Sequence, residues 1–206
     1  MIPRPLLTGL ILAGGQASRM QAGSGERIDK GLLDLCGAPL VAHARRYLEP
    51  RVGEVWISAN RHHDLYSRYG RVVSDDPALG QGSGPLAGVA TALRRIDTPW
   101  LMVIPVDVPR LPADLASRLA CSVAQSGARI AYAASAGPHP LCMLLHHDLW
   151  HNLFEFLQSG GRQVQRWQKL NHAQEVLFPD DEHVFFNINT PEDLCLARRL
   201  TPCAPP

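Results

Sequence analysis

The sequence predicts an α/β fold with a mostly parallel sheet, and three observations support this prediction. Short apolar runs alternate with amphipathic stretches along nearly the whole chain, turn residues flank the runs, and no linker-like stretch divides the chain. Continuous apolar runs are typical of strands that are buried on both faces by helices. Ligands bind beyond the carboxyl ends of the strands in such folds, so functional residues are expected in the loops that follow strands.

Six apolar runs are predicted to be strands. Each is continuous and bounded by turn residues, which favours a strand over a helix. In chain order they span residues 7–12, 55–58, 71–74, 100–104, 129–134 and 141–145.

Four amphipathic stretches are predicted to be helices, because apolar residues recur in them at helical spacing. They span residues 39–48, 86–96, 112–125 and 148–157. Pro39 stands at the expected first position of its helix, where proline is tolerated. A further helix is predicted to begin at Pro191, with Thr190 or Asn189 as its N-cap.

One domain is expected over residues 1–200, followed by a proline-rich flexible tail at 201–206. The formal net charge of +1 creates no field that would attract a nucleic acid or a membrane surface. Arginine pairs at 45–46, 94–95 and 198–199 are typical of solvated helix faces, so no nucleic-acid partner is expected. The N-terminal apolar run is too short for a signal peptide or a membrane span, which predicts a cytoplasmic location and no membrane partner.

Cysteine and histidine spacing predicts neither a disulfide framework nor a zinc site. The five cysteines are scattered and form no C-x-x-C pair, which is typical of reduced thiols. The adjacent histidines at 62–63 and 146–147 lack the i, i+4 spacing of a helical zinc motif.

The stretch LILAGGQASRM at residues 10–20 ends a predicted strand on Gly14 and Gly15 and places Arg19 four residues later. Adjacent glycines expose backbone N–H groups to which a base or a phosphate can come close. The stretch is neither a dinucleotide fingerprint nor a P-loop. Arg19 and Lys30 beyond the turn would suit a triphosphate, whose charge must be neutralised before attack. A solvated loop that only links a strand to a helix is the alternative, and the turn and the cations alone leave both open.

A single carboxylate, Asp107, follows the apolar run at 100–104 and is flanked by Pro105 and Pro109. A rigid carboxylate at the carboxyl edge of a sheet can hold Mg²⁺. The alternative is a turn aspartate that caps the next helix, but Pro109 and Pro112 lie between, which favours the metal role.

Polar or glycine-rich segments also follow other predicted strands. They are Asn60, Asp75 with Asp76, and GPLAG at residues 84–88. Turn chemistry is an alternative for each, and it is the preferred interpretation for Asp76, which precedes a proline.

Taken in order, these motifs resemble those of the molybdenum cofactor guanylyltransferase family. The resemblance covers residues 8 to 200, and the ordered set is specific although each motif is modest. It rests on LAGG at 12–15, Arg19-Met20, Asp29-Lys30-Gly31, Asn60, GPLAG at 84–88, the Asp107 segment, His139-Pro140 and residues 187–193.

The resemblance implies a three-layer Rossmann-like nucleotidyltransferase fold and transfer of GMP from GTP to molybdopterin. Pyrophosphate would be released and the molybdopterin guanine dinucleotide cofactor formed. GTP and molybdopterin would be the substrates and Mg²⁺ the cofactor, with transient contacts to molybdenum cofactor pathway proteins and acceptor-enzyme chaperones. An attacking phosphate monoester is already ionised near neutral pH, so positioning, Mg²⁺ and cations suffice without a side-chain nucleophile.

The resemblance also implies roles for individual residues. Arg19, Lys30 and Asp107 would be catalytic, and Asp107 would also bind the Mg²⁺. The nucleotide would be bound by Leu12, Ala13, Gly14, Gly15, Lys30, Asn60, Asp75, Gly84, Pro85 and Leu86. The pterin side would be formed by His139, Asn187 and Asn189.

The loop at residues 21–28 departs from the family pattern. Eight residues separate Met20 from Asp29, where the family has a shorter glycine-rich segment. A longer loop costs only about 0.6 kcal/mol for each doubling of its length, so the fold is expected to tolerate it. The departure puts the register of Lys30 in question, and the loop is expected to close on binding like a lid.

Two other functions stay open at this point. A cytidylyl- or sugar-nucleotidyltransferase of the same superfold would share the glycine turn, the basic residue and the metal aspartate. Those relatives more often have Ala-Ala-Gly where this chain has Ala13-Gly14-Gly15, and residues 187–193 also favour the guanylyl branch. A catalytically silent nucleotide-binding module is the second alternative, and the presence of both Lys30 and Asp107 argues against it.

Overall fold

The main sheet lies between two layers of helices in the computed structural model, which describes residues 2–14, 29–80, 84–181 and 183–201. The strands in this part of the chain are β1 (Leu7–Leu12), β2 (Asp34–Leu35), β3 (Ala38–Pro39), β4 (Glu54–Ser58), β5 (Arg71–Val73), β6 (Trp100–Pro105), β7 (Ile130–Ala134), β8 (Pro138–His146) and β9 (Gln174–Leu177). The seven-stranded sheet has the order β5-β4-β1-β6-β8-β7-β9, and β2 pairs with β3 in a separate hairpin. Among the described strands of the seven-stranded sheet, only β8 runs antiparallel to its neighbours.

Helices cover both faces of this sheet. They are α1 (Leu40–Leu48), α2 (His63–Tyr66), α3 (Pro85–Arg95), α4 (Leu115–Ser126), α5 (Trp150–Gln158), α6 (Val164–Leu170) and α7 (Pro191–Leu200). Residues of α1, α4 and α7 belong to one buried cluster, and residues of α3, α5 and α6 belong to the other. The predicted α/β architecture with a mostly parallel sheet is therefore confirmed.

The burial of the central strand β1 explains why its sequence is mostly apolar. All six of its residues are buried. Leu7 and Ile11 point into the cluster of α1 and α4, whereas Leu10 and Leu12 point into that of α3 and α5. Because successive side chains of a strand alternate between its faces, a strand covered on both sides has no position left for a polar pattern.

Three parallel strands end together at one edge of the sheet. Leu12 at the end of β1 pairs with Ser58 at the end of β4 and with Pro105 at the end of β6. The Ala13 N–H donates to the Ser58 carbonyl at 2.9 Å, and the Val106 N–H donates to the Leu12 carbonyl at 3.1 Å. The segments that follow these strands are thus held side by side.

Several predicted element bounds need correction. The helix predicted over 39–48 begins at Leu40, because Pro39 pairs in the β2–β3 hairpin and serves as the N-cap. The helix predicted over 112–125 begins only at Leu115, whose N–H closes a turn onto the Pro112 carbonyl at 3.1 Å. The run predicted over 141–145 belongs to the longer strand β8.

The cap predicted for the last helix is confirmed for Thr190. Its hydroxyl accepts from the Asp193 N–H at 3.2 Å, and the Asp193 carboxylate accepts from the Thr190 N–H at 2.8 Å. This reciprocal capping box satisfies N–H groups at the start of α7 that have no partner within the helix. The same carboxylate accepts from the Asn189 N–H at 2.8 Å, which fixes the backbone before the helix.

The expectation of reduced thiols is correct for three cysteines and wrong for Cys36. Cys121, Cys142 and Cys195 are free, whereas Cys36 is disulfide-bonded. Cys36 lies in the β2–β3 turn, and its Sγ lies 3.8 Å from the carbonyl oxygen of Thr201, 165 positions away in the chain. The spacing of cysteines in a sequence cannot reveal a contact of that range.

The domain boundary stays a prediction, since all of the tail at 201–206 except Thr201 lies outside the described residues. No described helix has both the length and the apolar character needed to cross a membrane.

Candidate active site

A cleft of about 560 Å³ opens at the edge where β1, β4 and β6 end. Many of the residues singled out in the sequence border it, and they come from six separate segments of the chain. They are Leu12, Gly14, Lys30, Asn60, Asp75, Gly84, Pro85 and Asp107. Gly15, Arg19 and the loop at 21–28 lie outside the described residues.

Lys30 and Asp107 form an ion pair at the floor of this cleft. The Lys30 Nζ donates to Asp107 Oδ2 at 2.6 Å and to Asn189 Oδ1 at 2.7 Å. Lys30 is only 9 % exposed, so its charge is largely removed from water and needs these acceptors. The three residues come from a 3₁₀ turn, the segment after β6 and the segment before α7. The two hydrogen bonds of Lys30 therefore join three distant parts of the chain.

The backbone around Asp107 is held on both sides. The residue before it, Val106, is tied to β1, and the Asp107 carbonyl accepts from the Ile188 N–H at 2.9 Å. The alternative role of Asp107 as a helix cap is wrong, because α4 begins at Leu115 and its N-cap residue is Asp114. The Asp107 carboxylate is instead directed to Lys30, with 20 % of the side chain exposed.

Asn60 and Asp75 join the ends of β4 and β5 beside the cleft. The Asn60 Nδ2 donates to Asp75 Oδ2 at 2.8 Å, and the Asp75 N–H donates to Asn60 Oδ1 at 2.9 Å. The next residue, Asp76, accepts from the Ala78 N–H at 3.0 Å and pairs with Arg94, which confirms its predicted turn role. Asp75 and Asp76 are thus neighbours in sequence with different tasks.

The helix α3 begins at the cleft and approaches β4 closely. Its N-cap, Gly84, has a φ of 72°, a conformation that glycine adopts without strain. A Cβ at Gly88 would overlap with the side chain of Ser58, so glycine is required for this close approach. Helix N-termini attract anions through their unpaired N–H groups and the helix dipole. The first residues of this one border the cleft.

Ala13 and Leu86, which were predicted to bind nucleotide, have fully buried side chains. Ala13 and Leu86 are both 0 % exposed and pack in the cores on opposite faces of the sheet. The Ala13 N–H is already bonded to Ser58. Their side chains therefore shape the site from beneath, whereas Gly14 is exposed on its surface.

The residues predicted for the pterin side separate into two groups. Asn189 contacts Lys30, as described above. His139 stacks on Phe185 with the ring centroids 4.2 Å apart, and its Nε2 lies 2.8 Å from the Ser135 hydroxyl. Burial lowers the pKa of His139, so the imidazole is neutral near pH 7. Asn187 is exposed, and no described residue links it or His139 by a hydrogen bond to the Lys30–Asp107 pair.

Two further charged residues border the cleft, namely Asp29 and Arg61. The sequence singled out Asp29 only as part of the Asp29-Lys30-Gly31 motif and gave it no role, and Arg61 was missed. The Arg61 guanidinium pairs with the Asp29 carboxylate, which is only 3 % exposed. The sequence signal for these two residues was that Asp29 precedes Lys30 and Arg61 follows Asn60. No sequence pattern indicates that two residues 32 positions apart form an ion pair.

A matching family model and two curated relatives indicate the same family for this chain. A model of the MobA-like NTP transferase domain matches residues 9–175. Two curated relatives are named molybdenum cofactor guanylyltransferase. That of Acidovorax ebreus (strain TPSY) is 41 % identical over 94 % of this chain and 96 % of the relative. That of Bordetella pertussis (strain Tohama I) is 42 % identical over 94 % of this chain and 98 % of the relative.

A solved structure shares the fold. Molybdopterin-guanine dinucleotide biosynthesis protein A from Archaeoglobus fulgidus superposes with a TM-score of 0.74 at 23 % identity, covering 94 % of this chain and 97 % of that one. The predicted Rossmann-like nucleotidyltransferase fold is therefore confirmed.

Proposed function

The chain belongs to the family of MobA-like NTP transferase domains, and from that premise we propose that it transfers GMP from GTP to molybdopterin. The products are pyrophosphate and the molybdopterin guanine dinucleotide cofactor. Relatives that share about two fifths of their residues over nearly their whole length carry the name molybdenum cofactor guanylyltransferase. The observation that carries the proposal is the Lys30–Asp107 pair at the floor of a glycine-lined cleft.

The nucleotide lies across the ends of β1, β4 and β6 in this proposal. Gly14 lets it approach the backbone, and the polar Asn60–Asp75 pair faces its nucleoside. The N-terminus of α3 and the Lys30 ammonium attract the phosphates of the nucleotide, because both present positive charge to the same cleft. Neutralised phosphates can be approached by a second anion, which the reaction requires.

The Asp107 carboxylate fits a divalent cation such as Mg²⁺. Carboxylate oxygens are hard ligands of the kind that Mg²⁺ prefers, and Asp107 already faces a cation, the Lys30 ammonium, at 2.6 Å. When bound there, the metal ion supplies charge neutralisation and Lewis-acid polarisation of the phosphoryl group. Asp107 is the residue that would hold it.

The remaining chemistry needs positioning rather than a side-chain nucleophile. A phosphate monoester on the pterin attacks the α-phosphate of GTP, and pyrophosphate leaves. Asn189 accepts from Lys30, and we assign it to the proposed pterin side together with His139 and Asn187. A cytoplasmic location and transient contacts with pathway proteins and chaperones belong to the same proposal.

Pyrophosphate release tests this function. Purified protein is incubated with Mg²⁺, molybdopterin carrying the metal, and either GTP or CTP. Turnover with GTP is the expected result. A preference for CTP would keep the chemistry and refute the choice of base, and tight GTP binding without turnover would favour a silent nucleotide-binding module.

Gly14→Ala is expected to weaken nucleotide binding without affecting folding. No described atom lies within 4 Å of the position that a Cβ at Gly14 would take, and its φ is not in the left-handed region. The methyl group would instead occupy space that the nucleotide needs, and we expect KM for GTP to rise about tenfold. Tm should stay within about 2 °C of the wild-type value.

Gly137→Ala is the matched control for this prediction, because its Cβ position is equally free of described atoms and lies in a different loop. It should change neither Tm nor KM. A Gly14→Ala variant with an unchanged KM would mean that the nucleotide does not lie against this turn.

A further inference from the structure

The carboxylate of Asp29 is one of the most deeply buried charges among the described residues, with 3 % of the side chain exposed. The Arg61 guanidinium forms an ion pair with its Oδ1, and His62 Nε2 lies 3.9 Å from its Oδ2. A buried carboxylate is tolerated only when it is paired, because its desolvation is costly. Arg61 is thus the main compensation for this charge.

Asp29 determines where Lys30 stands. Its carbonyl accepts from the Leu32 N–H at 3.0 Å, which closes the 3₁₀ turn Lys30–Leu32. Tyr66 packs beneath the same turn, since a Cβ at Gly31 would lie 2.7 Å from the Tyr66 hydroxyl. The turn is therefore held from the β4–α2 side, and the Lys30 side chain extends from it to Asp107 and Asn189.

We propose that Arg61 is a positioning residue, which neutralises the buried Asp29 carboxylate and thereby holds the Lys30 ammonium beside Asp107. This inference rests on the proposed function, because it assigns Lys30 to the phosphates of the nucleotide. Arg61 itself is 40 % exposed and borders the cleft, so direct contact with a phosphate is the competing role. The ion pair with Asp29 favours positioning, since it holds the guanidinium on the residue next to Lys30.

Because Asp29 is buried and Arg61 is partly exposed, the proposal predicts different effects for substitutions at these two residues. Arg61→Ala leaves a buried charge without its partner, and we expect kcat for pyrophosphate release to fall about 10- to 100-fold, with a smaller change in KM for GTP. Asp29→Asn leaves a partly exposed arginine that water can solvate, and its loss should be less than about threefold. Arg61→Lys keeps the charge and should recover most of the activity.

The double-mutant cycle separates positioning from direct contact. If Arg61 acts through Asp29, adding Arg61→Ala to Asp29→Asn should cost less than about threefold, because no buried charge is left to neutralise. An equal loss in both backgrounds would mean that the guanidinium acts on the substrate, and it would overturn the proposal. If Arg61→Ala alone does not fold, the double variant still tests the proposal, because the double variant contains no unpaired buried carboxylate.

A second Arg–Asp pair provides the control. Arg129 and Asp148 lie 3.1 Å apart at the opposite edge of the sheet, and Arg129→Ala and Asp148→Asn should leave kcat/KM within about twofold. Tm of each variant separates loss of folding from loss of activity. Wild-type protein that releases no pyrophosphate would refute the proposed function and this inference with it, whereas active protein without Asp29–Arg61 coupling would refute the inference alone.

Discussion

Asp107→Ala is expected to lower kcat/KM for pyrophosphate release about 1,000-fold, because it removes the carboxylate that would hold the divalent cation. The same substitution removes one of the two acceptors of Lys30, whose Nζ lies 2.6 Å from Asp107 Oδ2. The loss should appear mainly in kcat, since the charge that the cation neutralises is greatest during transfer. Steady-state pyrophosphate release over a range of GTP concentrations at saturating Mg²⁺ measures both kcat and kcat/KM.

Asp107→Asn is the matched variant for this prediction. The amide oxygen can still accept a hydrogen bond from Lys30, so the fold should be retained with a Tm near that of wild type. A neutral amide is a poor ligand for Mg²⁺, and activity should therefore fall about as far as in Asp107→Ala. Activity above about a tenth of the wild-type value in Asp107→Asn would argue against a metal role for this residue.

Lys30→Met is expected to lower kcat about 100-fold, because the buried ammonium that would face the phosphates is lost while the length of the side chain is kept. Lys30 has two acceptors, Asp107 and Asn189, and both lose their donor in this variant. Affinity for GTP, measured by calorimetry in the presence of Mg²⁺, should fall less than kcat if the ammonium acts mainly on the transferring phosphate.

Lys30→Arg controls for charge alone. The planar guanidinium has a different shape from the ammonium, and at a site that is 9 % exposed it cannot reproduce both hydrogen bonds without movement of its neighbours. We expect activity between those of wild type and Lys30→Met, with a Tm close to wild type. Turnover of Lys30→Met within about threefold of wild type would exclude Lys30 from the catalytic machinery.

Much of the fold could be predicted from local pattern. The apolar run of β1, the glycines that end it and the capping box of α7 are each encoded in a few consecutive residues, because burial on both faces and unpaired N–H groups have direct sequence signatures. The apolar run at 141–145 did not indicate whether its strand is parallel or antiparallel to its neighbours. A continuous apolar run reads the same in parallel and antiparallel strands, and β8 proved antiparallel.

The site was predictable only as a set of separate candidates. Glycine turns and polar residues after strands identified Gly14, Lys30 and Asp107 as candidates. The residues that follow parallel strands lie together at one edge of the sheet, where ligands bind. The sequence predicted Asn189 as an alternative helix cap, a role that Thr190 takes, and as a pterin-side residue. Its hydrogen bond to Lys30 was not foreseen. No local pattern relates two residues that are 159 positions apart.

The sequence by itself determined where this chain is apolar, where it turns and which polar groups follow its strands, since these properties depend on neighbours within one helical turn or one strand. Only the tertiary structure decided that Lys30 meets Asp107 and that Arg61 neutralises Asp29. Those contacts follow from the order β4-β1-β6 and from the burial of one carboxylate beside one turn. Strand order is selected by the packing of the whole core, and no short segment contains that information.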